Sequence, residues 1–182
     1  MIYKDGLESD RLTTRFLQTA DVNVWTTFMK NPLATELFPL IFREHPEEQA
    51  PIWIERQITR YKENRFGLQA IIEKSSGNFI GQCGLLKQEV DGDSYIEVGY
   101  HILPEYWGKG YAPEAARLFL NYGFTEFGFE QIISIINIHN TKSQRVAMKN
   151  GLKQGHQTVW NEIDVHIWKI DREDFLSQTS VK

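Results

Sequence analysis

The sequence predicts an α+β fold: a mixed, mostly antiparallel sheet of six or seven strands with helices on both faces, residues 1–182 forming one domain. Three observations carry this expectation. Strand-like stretches at Phe66–Glu73, Asn78–Val90 and Tyr95–Leu103 follow one another across short polar turns, the signature of an antiparallel meander. A helical stretch then separates Tyr95–Leu103 from the apolar run Gln131–Ile138, and such a strand–helix–strand unit must cross over, so this pair is parallel. Two further β segments, Lys153–Trp160 and Glu162–Ile170, close the chain.

The remaining elements follow from spacing and caps. Glu8–Leu17 reads as a first strand. Thr19 and Asp21 are helix-start residues, and Val22, Trp25, Phe28 and Met29 recur along one helical face that Asn31-Pro32 closes. Leu33–His45 is apolar and aromatic, but Pro39 interrupts a helix and the alternation is poor for a strand, so it reads as a loop with hydrophobic anchors. Glu47, Glu48 and Pro51 open a helix reaching Asn64, with Ile54, Ile58 and Tyr61 on one face. Gly81 and Gly84 mark a bulge or a close backbone approach in the middle strand of the meander, and Asp91-Gly92-Asp93 is its second turn. Along Tyr95–Leu103, Ile96, Val98, Tyr100 and Ile102 point one way and Tyr95, Glu97, Gly99, His101 and Leu103 the other, until Pro104 ends the run. Pro113 suits the first position of the next helix, Ala115, Ala116, Phe119 and Leu120 lie at helical spacing, and Gly123 is its stop. Asn140 or Thr141 caps a short helix that turns Val146 and Ala147 to the core and ends at Gly151. Ser177–Lys182 reads as a frayed tail.

Composition narrows the function classes. Of 182 residues 41% are hydrophobic and 24% charged, and the formal net charge is −4. That balance gives no basic footprint for nucleic acid or an anionic membrane, and no apolar run is long enough to span a bilayer. Cys83, the only cysteine, excludes an internal disulfide and a cysteine-cluster zinc site and suits a reducing compartment. The histidines His45, His101, His139, His156 and His166 are scattered without ligand spacing, so no metal is expected. The opening MIYKDGLESDR carries no signal-peptide core, and the expected setting is cytoplasmic.

The chemistry concentrates in Tyr95–Phe124. Gly108 and Gly110 bracket Lys109 between strand and helix, and Ala112 stands where Ser, Thr, Asp or Asn would cap the helix start. The free N–H groups and the helix dipole suit an anion; the same residues also suit a tight connection and nothing more. Two familiar phosphate loops are excluded. GxxxxGK[ST] needs Ser or Thr where Gly110 follows Lys109, and GxGxxG needs a glycine where Pro113 stands. The stretch GYHILPEYWGKGYAPEA, with Gly110 and Ala112 at the two small positions of [Q/R]xxGx[G/A], resembles motif A of the GNAT N-acetyltransferase superfamily. Its wording resembles the ribosomal-protein N-acetyltransferase (RimJ/RimL-like) branch, with Trp107 where many members have Gln or Arg. HNTKSQRVAMKNGL resembles motif B of the same superfamily, and LESDRLTTRFLQTADVNVW resembles the opening of that branch, so the likeness runs from Leu7 to Phe175.

The resemblance implies transfer of acetyl from acetyl-coenzyme A to an amine, foremost a protein N-terminus, by a monomer or homodimer. Small-molecule amines (polyamines, amino acids, antibiotics) and a non-catalytic acyl-coenzyme-A-binding module are its alternatives. It implies that backbone groups of Trp107, Gly108, Lys109, Gly110, Tyr111 and Ala112 hold the coenzyme pyrophosphate, that Ile102 and Leu103 line the thioester, and that Asn140 bonds the pantetheine or the acceptor. Arg145 and Lys142 could reach coenzyme phosphates. Ser143 matches the position proposed to protonate the departing thiolate, although Asn140 is also a good cap and Ser143 an ordinary first-turn residue. Acyl transfer to an amine needs a base, and Glu97 is the first candidate, a few residues before the turn; His101 on the same face is the second. Each has a plainer reading, as a solvent-facing carboxylate and a pocket-shaping histidine. Gly99 suggests a bulge, and in the family a splayed strand here opens a wedge for the pantetheine. The segment between the first two helices covers the acceptor in the family, which makes Phe38, Phe42 and His45 acceptor-pocket candidates.

Overall fold

Residues 1–40 and 43–179 are described in a computed structural model of the chain. Seven strands form one sheet: β1 (Leu12–Arg15), β2 (Leu68–Glu73), β3 (Phe79–Val90), β4 (Asp93–Ile102), β5 (Gln131–Asn137), β6 (Lys153–Trp160) and β7 (Ile163–Asp171), in the spatial order β1-β2-β3-β4-β5-β7-β6. The β4–β5 pair is parallel and the other pairs are antiparallel. The helices are α1 (Val22–Lys30), α2 (Pro32–Thr35), α3 (Pro46–Lys62), α4 (Tyr111–Glu126), α5 (Thr141–Lys149) and α6 (Arg172–Thr179). Among the described residues no helix is long and apolar enough to cross a membrane.

The alternation read along β4 divides the two cores. Ile96, Val98 and Tyr100 pack with Ala115, Ala116, Phe119 and Leu120 of α4 on one face. On the other face Trp25, Phe28 and Met29 of α1 meet Ala50 and Ile54 of α3 in a second core. Glu97, Gly99 and His101 point to this second side and border the cavity there. The turn between β3 and β4 is a tight hairpin with Asp91 at φ 53° and Gly92 at φ 88°, the handedness that matches strand twist. Gly84 passes so close to the Gly67 carbonyl that a Cβ would collide with it, the close approach expected of that glycine.

Several boundaries depart from expectation, each for a local reason. The first strand does not run straight through Glu8–Leu17: the Ser9 N–H donates to the Leu12 carbonyl at 2.9 Å and Glu8 bridges Thr13, so the chain doubles back before β1. The segment after α1 is not all loop, because the Asn31 side chain accepts the Leu33 N–H at 3.0 Å and caps α2. α4 begins two residues before Pro113: Gly110, at φ 81°, is the residue before the helix and Tyr111 is its first. Gly123 does not stop α4. It lies inside the helix where a Cβ would come within 2.7 Å of Ile132 Cδ1, so the glycine lets the helix sit down on β5. Gly99 carries no bulge, since the β3–β4 register runs unbroken from Gly81↔Ile102 to Val90↔Asp93. Ser177–Thr179 continue α6, whose Phe175 is fully buried.

Candidate active site

The sheet opens at its centre. β4 and β5 share a single backbone pairing, Glu97↔Ile133. The Leu103 N–H donates to the Ile80 carbonyl at 2.9 Å, so the odd-numbered residues of β4 turn their backbone groups to β3 and the even-numbered ones turn theirs to the β5 side. Two side chains take over the pairing that the diverging strands abandon. Glu97 Oε1 accepts the Ile135 N–H at 3.3 Å, and Ser134 Oγ donates to the Val98 carbonyl at 3.2 Å. Farther along, the Ile102 carbonyl accepts Trp107 Nε1 at 2.6 Å. Within this gap Tyr100 and Ile102 present backbone to a cavity of about 620 Å³.

Glu97 sits at the narrow end of the gap. Its Oε2 accepts Gln88 Nε2 at 2.7 Å. Burial lifts the carboxyl above the usual carboxylate range, while the hydrogen bonds from Gln88 and Ile135 and the charge of Arg60 oppose the rise. A carboxylate so placed is a better base than an exposed one, because the proton it accepts relieves its desolvation. Tyr100 lies deeper. Its hydroxyl donates to the Ser143 carbonyl at 3.0 Å, and burial pushes the phenol up against the opposing hydrogen bonds of Ser134 and Ser143. At neutral pH Tyr100 therefore holds its proton, beside the Ser143 hydroxyl on the cavity wall.

At the other end the loop before α4 forms a cradle. Gly108 and Gly110 take φ 77° and 81°, a region glycine enters without strain. No hydrogen-bond partner is recorded among the described residues for the N–H groups of Gly108, Lys109 or Gly110, and α4 has no side-chain cap. Pro113, the third helical residue, has no N–H to satisfy. A Cβ on Gly108 would meet nothing within 4 Å, and both Gly108 and Gly110 line the cavity, so an anion can approach the loop there. The cradle is braced from behind: Arg11 Nη1 donates to the Lys109 carbonyl at 2.9 Å, and the same guanidinium holds Glu114 at 2.6 Å and lies 4.5 Å from the Tyr111 ring centroid. That ion pair also takes the Glu114 carboxylate out of competition for the helix start. Trp107 ties the loop to α5, where Lys142 Nζ stands 4.0 Å from its ring centroid.

The cavity wall beyond Glu97 is aromatic. His101 is ringed by Trp25, Phe28, Phe38 and Trp53, with centroids 5.9, 6.2, 5.1 and 5.6 Å away. Burial lowers its pKa to about 4, so the imidazole is neutral at pH 7 and a weak proton acceptor.

Of the residues expected from the sequence, Glu97, His101, Ile102, Trp107, Gly108, Gly110, Tyr111, Ala112, Asn140, Ser143, Arg145 and Phe38 all line this one cavity. Leu103 and Lys109 do not. Leu103 spends its N–H on Ile80 and its carbonyl on Tyr106, and its side chain joins the core with Trp25 and Phe28. Lys109 turns outward, its Nζ 4.9 Å from the Tyr106 ring centroid. His45 precedes α3 as its capping residue, at φ 50°, away from the cavity. Phe42 lies outside the described residues. Asn140 does cap α5, accepting the Ser143 N–H at 3.0 Å. Sequence reasoning missed Tyr100, Ser134, Gln88, Arg11, Arg56 and Arg60. Only Ser134 left a sign in the chain, as the polar interruption of the apolar run Gln131–Ile138; the others depend on contacts between distant segments.

A strand gap thus leads from the free N–H groups before α4 to the buried carboxylate of Glu97. The chain as a whole is similar to known proteins. A family model described as acetyltransferase (GNAT) domain matches residues 11–153. The uncharacterized protein YkkB of Bacillus subtilis (strain 168) is 30% identical over 152 residues, 82% of this chain and 86% of that protein. The uncharacterized N-acetyltransferase p20 of Bacillus licheniformis is 26% identical over 181 residues, 94% of this chain and 98% of that protein. A crystal structure of a GNAT-family acetyltransferase from Bacillus anthracis superposes with a TM-score of 0.76 at 23% identity, covering 92% of this chain and 98% of the other. With the family model covering most of the chain, the protein belongs to the GNAT acetyltransferase family.

Proposed function

We propose that this N-acetyltransferase acetylates the primary amine of a small molecule. The observation that carries the reading is the cavity itself, which joins the open cradle of Gly108–Ala112 to the buried Glu97 and ends in an aromatic enclosure rather than a flat surface. Acetyl-coenzyme A, when bound, supplies an activated acetyl group; the chain positions and deprotonates the amine. Glu97 takes the ammonium proton, directly or through one water, and the freed lone pair forms the carbon–nitrogen bond as the carbon–sulfur bond breaks. The departing sulfur takes its proton from the hydroxyl pair of Ser143 and Tyr100, whose phenol burial keeps protonated, and the second proton shed by the new amide nitrogen restores that pair. The cradle residues hold the coenzyme through backbone N–H groups, and Arg145 on the lining adds a positive charge toward its phosphates.

A protein N-terminus is the second reading. It is favoured by the RimJ/RimL-like wording of residues 99–115 and by Leu33 on the cavity rim, which is 65% exposed and could dock an apolar peptide side chain.

The test is thiol release from acetyl-coenzyme A against small amines and short peptides, with Glu97→Gln alongside. The acid limb of the wild-type profile should rise with pH as the raised Glu97 carboxyl ionises. Glu97→Gln should lose that limb and about 10²–10⁴-fold in kcat. An unchanged profile with chemistry rate-limiting would remove Glu97 from the mechanism.

A further inference from the structure

The acceptor end of the cavity carries a charge pattern that neither the fold nor the acetyl donor explains. Arg56 and Arg60 stand one helical turn apart on α3, and both line the cavity. Like charges at that spacing repel. Burial, then the charges of Arg56 and Arg65, holds the Arg60 guanidinium below its ordinary value. The acids of the same helix turn that could offset them are engaged: Glu55 faces Lys62 at 3.9 Å, and Glu63 just beyond the helix faces Arg65 at 3.1 Å. Among the described residues no carboxylate lies within ion-pair reach of Arg56 or Arg60. Glu36, which also lines the cavity, is exposed and pairs with neither.

Arg60 is nonetheless held in place. Its Nη1 donates at 3.1 Å to Gln57 Oε1, and that same buried oxygen accepts the Leu68 N–H at 3.0 Å, so the fork is anchored through Gln57 to the edge of β2. A half-buried guanidinium, oriented by an amide oxygen that already accepts two N–H groups and without an ion-pair partner among the described residues, suits an anion from outside the chain. Arg60 and Glu97 line the same cavity and form no ion pair with each other. One molecule in that cavity can therefore offer a negative group to Arg60 and an amine to Glu97.

Resting on the transferase reading above, we propose that the acceptor is a small primary amine bearing a carboxylate or a phosphate, held by Arg60 together with Arg56 while its amino group faces Glu97. A bound anion cancels the repulsion between the two arginines and completes the unused donors of the Arg60 fork. A polyamine meets the opposite situation, bringing positive charge to a site that already has an excess.

The test uses the full chain with saturating acetyl-coenzyme A and measures kcat/KM on matched pairs. Phenylalanine is set against phenylalaninamide, phosphoethanolamine against ethanolamine, and a peptide with Glu at its second position against the same peptide with Gln. In at least one small-molecule pair the anionic member should win by about tenfold or more, the worth of one charge-assisted hydrogen-bond pair. Arg60→Gln should bring that ratio close to one and Arg60→Lys restore part of it, while calorimetric affinity for coenzyme A stays within about twofold. Should Arg60→Gln not fold, Arg56→Gln and inhibition of the wild type by N-acetylphenylalanine against its amide give the same comparison. A ratio near one in the wild type, or one that Arg60→Gln leaves unchanged, overturns the anion site and leaves the transferase reading standing. A preference confined to the peptide pair overturns the small-molecule acceptor. Coenzyme binding with no turnover of any amine overturns the transferase reading, and this proposal with it.

Discussion

Replacing His101 with Phe should flatten the acid side of the stability profile. Burial holds the imidazole pKa to about 4 in the folded chain, against 6.5 for the ordinary group. The folded state therefore binds fewer protons than the unfolded state between these values. Its contribution is complete above pH 6.5 and is lost as pH falls towards 4. The full gap is worth about 3 kcal/mol, and about 2 kcal/mol of it goes between pH 7 and pH 5. At roughly 2–4 °C per kcal/mol for a chain of this size, the wild type loses about 4–8 °C of Tm to this group alone over that interval. Phenylalanine keeps the ring contacts with Trp25, Phe28, Phe38 and Trp53 and has no proton to bind. The depressed carboxyls of Glu47, Glu73, Asp91 and Glu114 also destabilise on acidification, and the raised Glu97 acts the other way, but both proteins share them. The readout is thus the difference between wild-type and His101→Phe denaturation free energies at pH 7, 6 and 5. A difference that stays constant over this range would refute the burial argument and return His101 to the list of proton acceptors.

Two further predictions concern residues behind the site. Arg11→Ala removes the bond to the Lys109 carbonyl and leaves the Glu114 charge beside the cradle unneutralised, although Ser9 and the backbone N–H still hold its Oε1, so coenzyme A affinity should fall about 3–10-fold. The melting temperature should hardly move, because the arginine is half-exposed; unchanged coenzyme affinity by calorimetry would show that the loop needs no brace. Gly123→Ala gains about 1 kcal/mol of helix propensity but sets a methyl 2.7 Å from Ile132 Cδ1, an overpacking that costs about 1–3 kcal/mol. Alone it should destabilise slightly, and in an Ile132→Val background, where that carbon is gone, it should stabilise; urea denaturation of the four proteins measures the coupling.

What the chain discloses divides along sequence distance. The β4 alternation is local, and it correctly separated the α4 core from the cavity side on which Glu97, Gly99 and His101 stand. The cradle was legible for the same reason, since Gly108, Gly110 and an uncapped helix start are neighbours in sequence. Glycine at position 123 misled because a stop and a close helix–sheet contact look alike until Ile132 is placed beside it. Gly99 misled likewise: the sheet is broken between β4 and β5, not within the β3–β4 register, and a strand gap depends on where two separate segments part. Arg60 was invisible because a helix residue joins the cavity lining only once the fold sets α3 against β2, where Gln57 bonds both Arg60 and Leu68.

The stitch between Glu97 and Ile135 gives the gap a mechanical meaning. β1–β4 and β5–β7 are two hydrogen-bonded slabs whose separation is limited by one backbone pairing, a serine hydroxyl and a carboxylate. An ionised acceptor pulls on an N–H about twice as hard as a neutral one. Whenever Glu97 carries a proton, the slab of β5 is therefore tethered less tightly, and the amide of Ile135 exchanges faster. The step that spends the base thus also slackens one of the three ties between the slabs.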